Sequence, residues 1–292
     1  MQRLADYDCT FMLHVMTVHW QSPRWIEAQA HYLNLHCPEG TRTYASINGL
    51  ERSKWSRYFH FADELPGKHA EKLNALAEIV LEDASSSDYL LFLDGDAFPI
   101  APIDPVLNSV RSLVAVRREE NARDPQPHPS FCVTTVGFWR EIAGDWRAGY
   151  RWTNELGRSV TDVGGNLLGQ LLERGTEWRA LTRMNTVDVH PIWFGVYGES
   201  ELGCVAYHHG AGFRRKRTSR GDGISEGFVP RPTRIPASVP GLARTESWLR
   251  FRVWDAQRRV WRRRQRAAQL RVERDVYEDL NSNDEFWKRF VS

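Results

Sequence analysis

The sequence predicts an α/β fold: a mostly parallel central sheet flanked by helices, extended by a helical, basic C-terminal arm. Three observations carry that expectation. The run Tyr89-Leu-Leu-Phe-Leu93 is continuously apolar, as a strand covered on both faces requires. It is reached from an amphipathic pattern over 67–82, where Ala70, Leu73, Leu76, Ala77 and Val80 recur at helical steps. Near the other end, apolar residues at Leu249, Val253, Ala256, Val260, Ala267 and Leu270 share a long segment with a crowd of arginines.

Taken in order, 11–20 is short, rich in strand formers and stopped by Ser22-Pro23. Ser22 as N-cap with Pro23 at the first helical position starts a helix, continued by Trp25, Ile26, Ala30 and Leu33. A second strand over 43–47 ends in the turn pair Asn48-Gly49, and an aromatic loop follows with Trp55, Tyr58, Phe59 and Phe61. After the 67–82 helix and the 89–93 strand, further strands are expected at 112–116 and 130–136. Helices are expected at 138–146 and 163–173. Pro230, Pro232, Pro236 and Pro240 then break regular structure.

At 292 residues, 41% hydrophobic and 26% charged, the chain is long enough for a sizeable core, which excludes disorder throughout. No apolar run approaches a membrane span and the start lacks the order of a signal peptide, so a cytoplasmic protein is expected. Cys9, Cys37, Cys132 and Cys204 are scattered, which argues against a cysteine zinc site or a disulfide scaffold. Residues 214–274 hold 18 of the 39 basic residues against 5 of the 37 acidic ones, so positive charge is concentrated late. Such a block points to an anionic neighbour or to a solvated helix face. With Trp254 and Trp261 among the arginines, peripheral membrane contact is one reading. Packing on the rest of the chain or in a homo-oligomer is another, and no nucleic-acid reading motif is present.

Asp94-Gly95-Asp96 is the sharpest chemical signal. Two carboxylates one residue apart at the tip of a buried strand can turn together toward a divalent cation. Oxygen ligands suit Mg²⁺ or Mn²⁺, which bridge nucleotide phosphates. Phe98, Pro99, Ile100 and Pro102 anchor the loop that follows.

The segment Tyr89-Leu-Leu-Phe-Leu-Asp-Gly-Asp-Ala-Phe-Pro99 resembles the metal-binding strand of the Rossmann-like, GT-A-fold glycosyltransferases, which use nucleotide-sugar donors. The likeness extends over about residues 8–217. It implies a metal-dependent transfer from a UDP or GDP sugar to a carbohydrate, lipid-linked or small-molecule acceptor hydroxyl. It implies metal at Asp96, with Asp94 on the ribose or on the metal's water. A late histidine ligand would be His208 or His209, which alternate in direction in an extended chain. Arg214, followed by Arg215, Lys216 and Arg217, would add charge beside the diphosphate.

By the same resemblance Asp162, in Thr161-Asp-Val-Gly-Gly-Asn166, is the candidate base, against a plain N-cap reading. Thr17 and His19 at the first strand's end, Ser46 and Asn48 at the second's, would cradle the nucleoside. Lys72, with His69, would reach the pyrophosphate, and Arg117, Arg118, His128 and Trp139 are lesser candidates. The implied division is a catalytic domain over 1–229, with a nucleotide-binding half over about 1–110 and an acceptor half over about 111–229. A linker at 230–242 and a helical extension at 243–292 follow.

Two other functions compete. A sugar nucleotidyltransferase would want a Gly-rich basic loop after the first strand, where this chain has His19-Trp-Gln-Ser-Pro-Arg24. A non-catalytic nucleotide-sugar-binding module of the same fold is the other.

Overall fold

The structure, a computed structural model, describes residues 11–119, 123–155, 157–186, 194–210 and 242–291. In chain order the elements are β1 (Leu13–Trp20), α1 (Ile26–His36), β2 (Arg42–Asn48), α2 (Arg52–Trp55), β3 (Phe61–Asp63), α3 (His69–Leu81), β4 (Tyr89–Asp94), β5 (Ala97–Pro99), α4 (Asp104–Ser109), β6 (Leu113–Val116) and β7 (His128–Thr135). Then come α5 (Val136–Glu141), β8 (Trp152–Thr153), β9 (Ser159–Val160), α6 (Gly165–Glu173), β10 (Arg179–Arg183), β11 (Gly195–Glu199), β12 (Gly203–His208), α7 (Leu242–Leu280) and a closing 3-10 turn, Phe286–Phe290.

Ten strands form one sheet in the order β3-β2-β1-β4-β7-β6-β10-β11-β12-β5. The pairings set β3, β2, β1, β4, β6, β10 and β12 running one way and β7, β11 and β5 the other. The sheet is thus mostly parallel in direction, with helices on both faces, as the sequence predicts. Its alternation is period two. Met16, Val18, Leu90, Phe92 and Cys132 face a core shared with α3, α5 and α6, including Leu73, Trp139, Trp146 and Leu167. Leu13, Val15, Leu91, Leu93, Phe131 and Val133 face the opposite core with Leu33, Val106 and Leu107 of α1 and α4. The 89–93 run is apolar throughout because each of its inward positions has a helix layer opposite. Leu90, Leu91, Phe92 and Leu93 are fully enclosed, each stabilising the fold by about 1.5–3 kcal/mol.

Several expected boundaries move. α1 begins at Ile26 rather than at Ser22-Pro23, because Gln21 takes φ 55 and a turn from Pro23 O to Ile26 N comes first. That turn drives Trp25 into the interior. The helix expected over 138–146 stops at Glu141, where Ala143 goes left-handed. A side-chain carbon on Gly144 would sit 2.3 Å from the Trp139 indole, so the chain folds back there. β7 inserts antiparallel between β4 and β6, an order no local pattern announces. The arginine-rich helix is longer than 249–270 indicates, and the proline-rich 230–240 lies outside the described residues.

Two features place the site. β5 begins three residues after Asp94 yet pairs with β12 at the far end of the strand order, so the last strands curl back over the tip of β4. Behind them, Trp25 just before α1, Tyr32 of α1, Phe98 of β5, Phe194, Tyr207 of β12, and Val276, Leu280, Phe286 and Phe290 from the C-terminal end pack as one cluster. Tyr32 stacks on Phe98 at 4.3 Å and donates its hydroxyl to Leu280 O at 2.8 Å.

Candidate metal centre and its cleft

Asp94 closes β4, and Asp96 starts the crossing to β5. The loop between them is pinned from behind through its backbone. Gln29 of α1 donates its amide to Asp94 O at 2.9 Å and to Ala97 O at 2.7 Å, while its Oε1 lies 3.2 Å from His19 Nε2. On the β12 side, His208 pairs with Ala97 and the His209 N–H donates to Asp96 O at 3.0 Å. With its carbonyls engaged there, the loop turns its two carboxylates toward His208.

Asp94, Asp96 and His208 bring one ligand atom each within 4.8 Å of one another. His208 Nε2 is 3.3 Å from Asp94 Oδ2 and 3.4 Å from Asp96 Oδ1. Burial works against the charge on Asp94, but the imidazoles of His69, His128 and His208 outweigh it and hold the carboxyl far below the usual range. Burial likewise opposes ionisation of Asp96, and His208 by charge and hydrogen bond still keeps it low. His208 moves the other way: burial lowers it, and Asp96 and then Asp94 more than restore it. Two depressed carboxylates and a raised imidazole in mutual contact mark a place that attracts positive charge. The donor chemistry, two carboxylate oxygens and one imidazole nitrogen, fits a divalent cation such as Mn²⁺ or Mg²⁺.

Other side chains close in on this trio. His69, first residue of α3, has Nε2 2.8 Å from Asp94 Oδ1. His128 of β7 lies with its ring centroid 6.0 Å from that of His208, its Nδ1 2.9 Å from Ser130 Oγ. One turn along α3 from His69, Lys72 donates to Asn48 Oδ1 at 2.6 Å and sits 4.2 Å over the Trp20 ring. Burial of the Lys72 ammonium lowers its pKa. Asn48 is further tied to Ser46 Oγ and Leu65 O, so the ends of β1 and β2 and the start of α3 form one polar corner.

Asp162 is not the cap of α6. That position belongs to Gly164 at φ 85, where a side-chain carbon would meet Pro127 O at 2.3 Å. Asp162 Oδ1 instead accepts from Val163 N–H, and Oδ2 lies 3.5 Å from Arg118, which also approaches Asp124 at 3.6 Å. Arg118 in turn acts electrostatically on His128 and His208. Asp162, exposed, therefore stands beside Arg118 rather than capping the helix.

Three sequence-derived candidates sit elsewhere than expected. Thr17 is enclosed within β1 and its hydroxyl has no hydrogen-bond partner among the described residues, so it is closed off from the trio's open side. His19, on the same face of β1, is equally enclosed behind the motif loop, and burial lowers its pKa to about 4 despite the bond to Gln29. His209 turns its ring away from the trio, against Trp25 at 4.4 Å and Phe194 at 4.6 Å, with Nδ1 2.9 Å from the Tyr207 hydroxyl. Strand alternation separates it from His208. Trp139 is core, and Arg117 pairs with Glu119. Arg214 and the basic residues after it lie outside the described residues. Gln29 was not foreseen, because a glutamine in a helix carries no local sign of what its amide will reach.

No family model matches the chain, and no curated relative matches it. Among solved structures it is similar to the glycosyltransferase GlyE of Streptococcus pneumoniae TIGR4, at 14% identity and TM-score 0.40, over 59% of this chain and 45% of that one. The galactosyltransferase LgtC, in complex with donor and acceptor sugar analogs, matches at 12% and 0.38, over 56% and 72% of the two chains. The mannosyltransferase PcManGT from Pyrobaculum calidifontis, in complex with GDP-Man and Mn²⁺, matches at 14% and 0.37, over 57% and 54%. The matched span is less than half the length of the GlyE chain. No helix among the described residues is long and apolar enough to cross a membrane.

Proposed function

We propose that this chain is a divalent-metal-dependent glycosyltransferase, moving a hexosyl-type sugar from a UDP or GDP sugar to an acceptor hydroxyl. The observation that carries the reading is the convergence of Asp94 Oδ2, Asp96 Oδ1 and His208 Nε2 at the carboxyl ends of the central strands, where open α/β sheets bind ligands. Asp96, His208 and Asp94 would hold Mn²⁺ or Mg²⁺. Bound there, the ion supplies positive charge opposite the donor's diphosphate.

The remaining roles fall to side chains of the cleft. Asn48 and Lys72, beside Trp20, receive the nucleotide, and Asp94 also faces its ribose. Arg214 adds charge toward the diphosphate. Asp162 takes the proton of the acceptor hydroxyl as that oxygen bonds to the anomeric carbon and the nucleoside diphosphate departs with the former bonding pair. The basic helix α7, with Trp248, Leu249, Val253 and Val260 exposed beside Arg250, Arg252 and Arg259, meets an anionic membrane face in this reading. Co-sedimentation with phosphatidylglycerol vesicles but not with phosphatidylcholine vesicles checks that contact.

The test of function is a thermal-shift screen of nucleotide-diphosphate sugars with and without Mn²⁺, repeated on Asp96→Ala. One donor is expected to stabilise the wild type only when metal is present, and the variant not at all. A wild type indifferent to every donor and metal pair overturns the reading.

A further inference from the structure

We infer that His69 is a positioning residue for the metal centre, holding the Asp94 carboxylate by one oxygen so that the other is presented to the ion. This rests on the metal-dependent reading above. Asp94 divides its two oxygens: Oδ1 faces His69 Nε2 at 2.8 Å, and Oδ2 faces His208 Nε2 at 3.3 Å. His69 is outside the converging trio, since that group is Asp94, Asp96 and His208 among the described residues. It touches one member of the trio from the side away from His208.

The imidazole is a fixed prop. Its backbone is the first residue of a thirteen-residue helix, and the turn before it is closed by the Lys68 N–H donating to Glu71 Oε2 at 2.6 Å. One turn further along that helix, Lys72 is anchored by Asn48. His69 Nε2 is shut off from solvent, and Asp94 Oδ1 at 2.8 Å is the polar atom it faces. Freed of that contact, the Asp94 side chain regains rotation about its two side-chain bonds, and the ion must then order it. Outer-shell partners that orient a ligand change metal affinity by about 10- to 100-fold when removed.

The experiment titrates Mn²⁺ into the full chain, alone and with UDP or GDP, following bound Mn²⁺ by electron paramagnetic resonance. Wild type, His69→Ala, His69→Gln and Asp96→Asn are compared, with the melting temperature of each metal-free protein measured alongside. His69→Ala is expected to bind Mn²⁺ about 10- to 100-fold more weakly while melting near the wild type, and His69→Gln, which keeps a donor, to recover most of the loss. If wild type binds, Asp96→Asn does not, and His69→Ala binds as wild type does, the positioning role falls and the metal centre stands. If wild type binds no Mn²⁺ under any condition, both fall together.

Discussion

The backbone N–H of His209 donates to the carbonyl of Asp96 at 3.0 Å, and this bond sets what the two neighbouring histidines can do. It locks the end of β12 against the loop after β4. His208 Nε2 then lies 3.4 Å from Asp96 Oδ1, while the His209 ring enters the aromatic cluster behind the loop. Adjacent in sequence, the pair serves the carboxylates and the core.

The two substitutions should therefore separate cleanly. His208→Ala is expected to abolish Mn²⁺ binding with a small change in stability. His209→Ala removes an enclosed ring and should cost about 3–4 kcal/mol, near the loss for other large buried rings. Calorimetric Mn²⁺ titration and urea unfolding of both variants check this. Metal binding lost equally in both would contradict the division.

Mn²⁺ affinity should rise with pH. His208 has its pKa raised above the ordinary 6.5 by Asp96 and Asp94 against the pull of burial, and only its neutral form can be a ligand. Each bound ion displaces that proton, so below the raised pKa affinity falls about tenfold per pH unit and above it levels off. Proton release measured in two buffers of different ionisation enthalpy gives the count directly.

Acid should destabilise the metal-free fold well before its carboxylates titrate. Burial lowers His19 to about 4 and His209 to about 3, against an unfolded value near 6.5. Between those values the unfolded chain binds protons that the folded chain does not, so stability falls as pH drops from 6.5 toward 4. The slope is roughly 1.4 kcal/mol per pH unit for each histidine. The depressed Asp94 and Asp96 stay ionised through this window, and their contribution is lost only below the unfolded carboxylate value. Urea midpoints at pH 7, 5.5 and 4.5 should show a shallower decline in His209→Phe than in wild type.

Phe290→Ala should destabilise by about 3–5 kcal/mol although it lies two residues from the last. Phe290 packs on Phe194 and on Tyr207, the residue before His208, so the C-terminal end supports the strand that carries a proposed ligand. Chemical denaturation measures the loss. A change within 0.5 kcal/mol would show that this end is only a surface addition.

Asp162→Asn is expected to lower turnover about 10²- to 10⁴-fold while leaving Mn²⁺ affinity unchanged, since the carboxylate pairs with Arg118 and touches none of the three proposed ligands. Steady-state transfer and Mn²⁺ titration together decide it. Weakened metal binding would move Asp162 from proton transfer into the metal centre.

What the sequence determined by itself is what local periodicity encodes. The apolar run ending at Asp94, the helix carrying Leu73 and Leu76 into it, and two carboxylates at a strand tip are all readable there, because a residue's burial is set largely by the repeat of its own element. That His208 and His209 face opposite ways also follows from an extended backbone. Which of them meets Asp94 does not, because it depends on the curl that brings β12 beside β5, from more than a hundred residues away. Gln29 behind the loop, His69 beside Asp94, Arg118 beside Asp162 and the enclosure of Thr17 were decided by the tertiary structure alone. Each is a contact between elements, and chain entropy and packing of the whole core choose such contacts, where a side chain's own neighbours in sequence have no say.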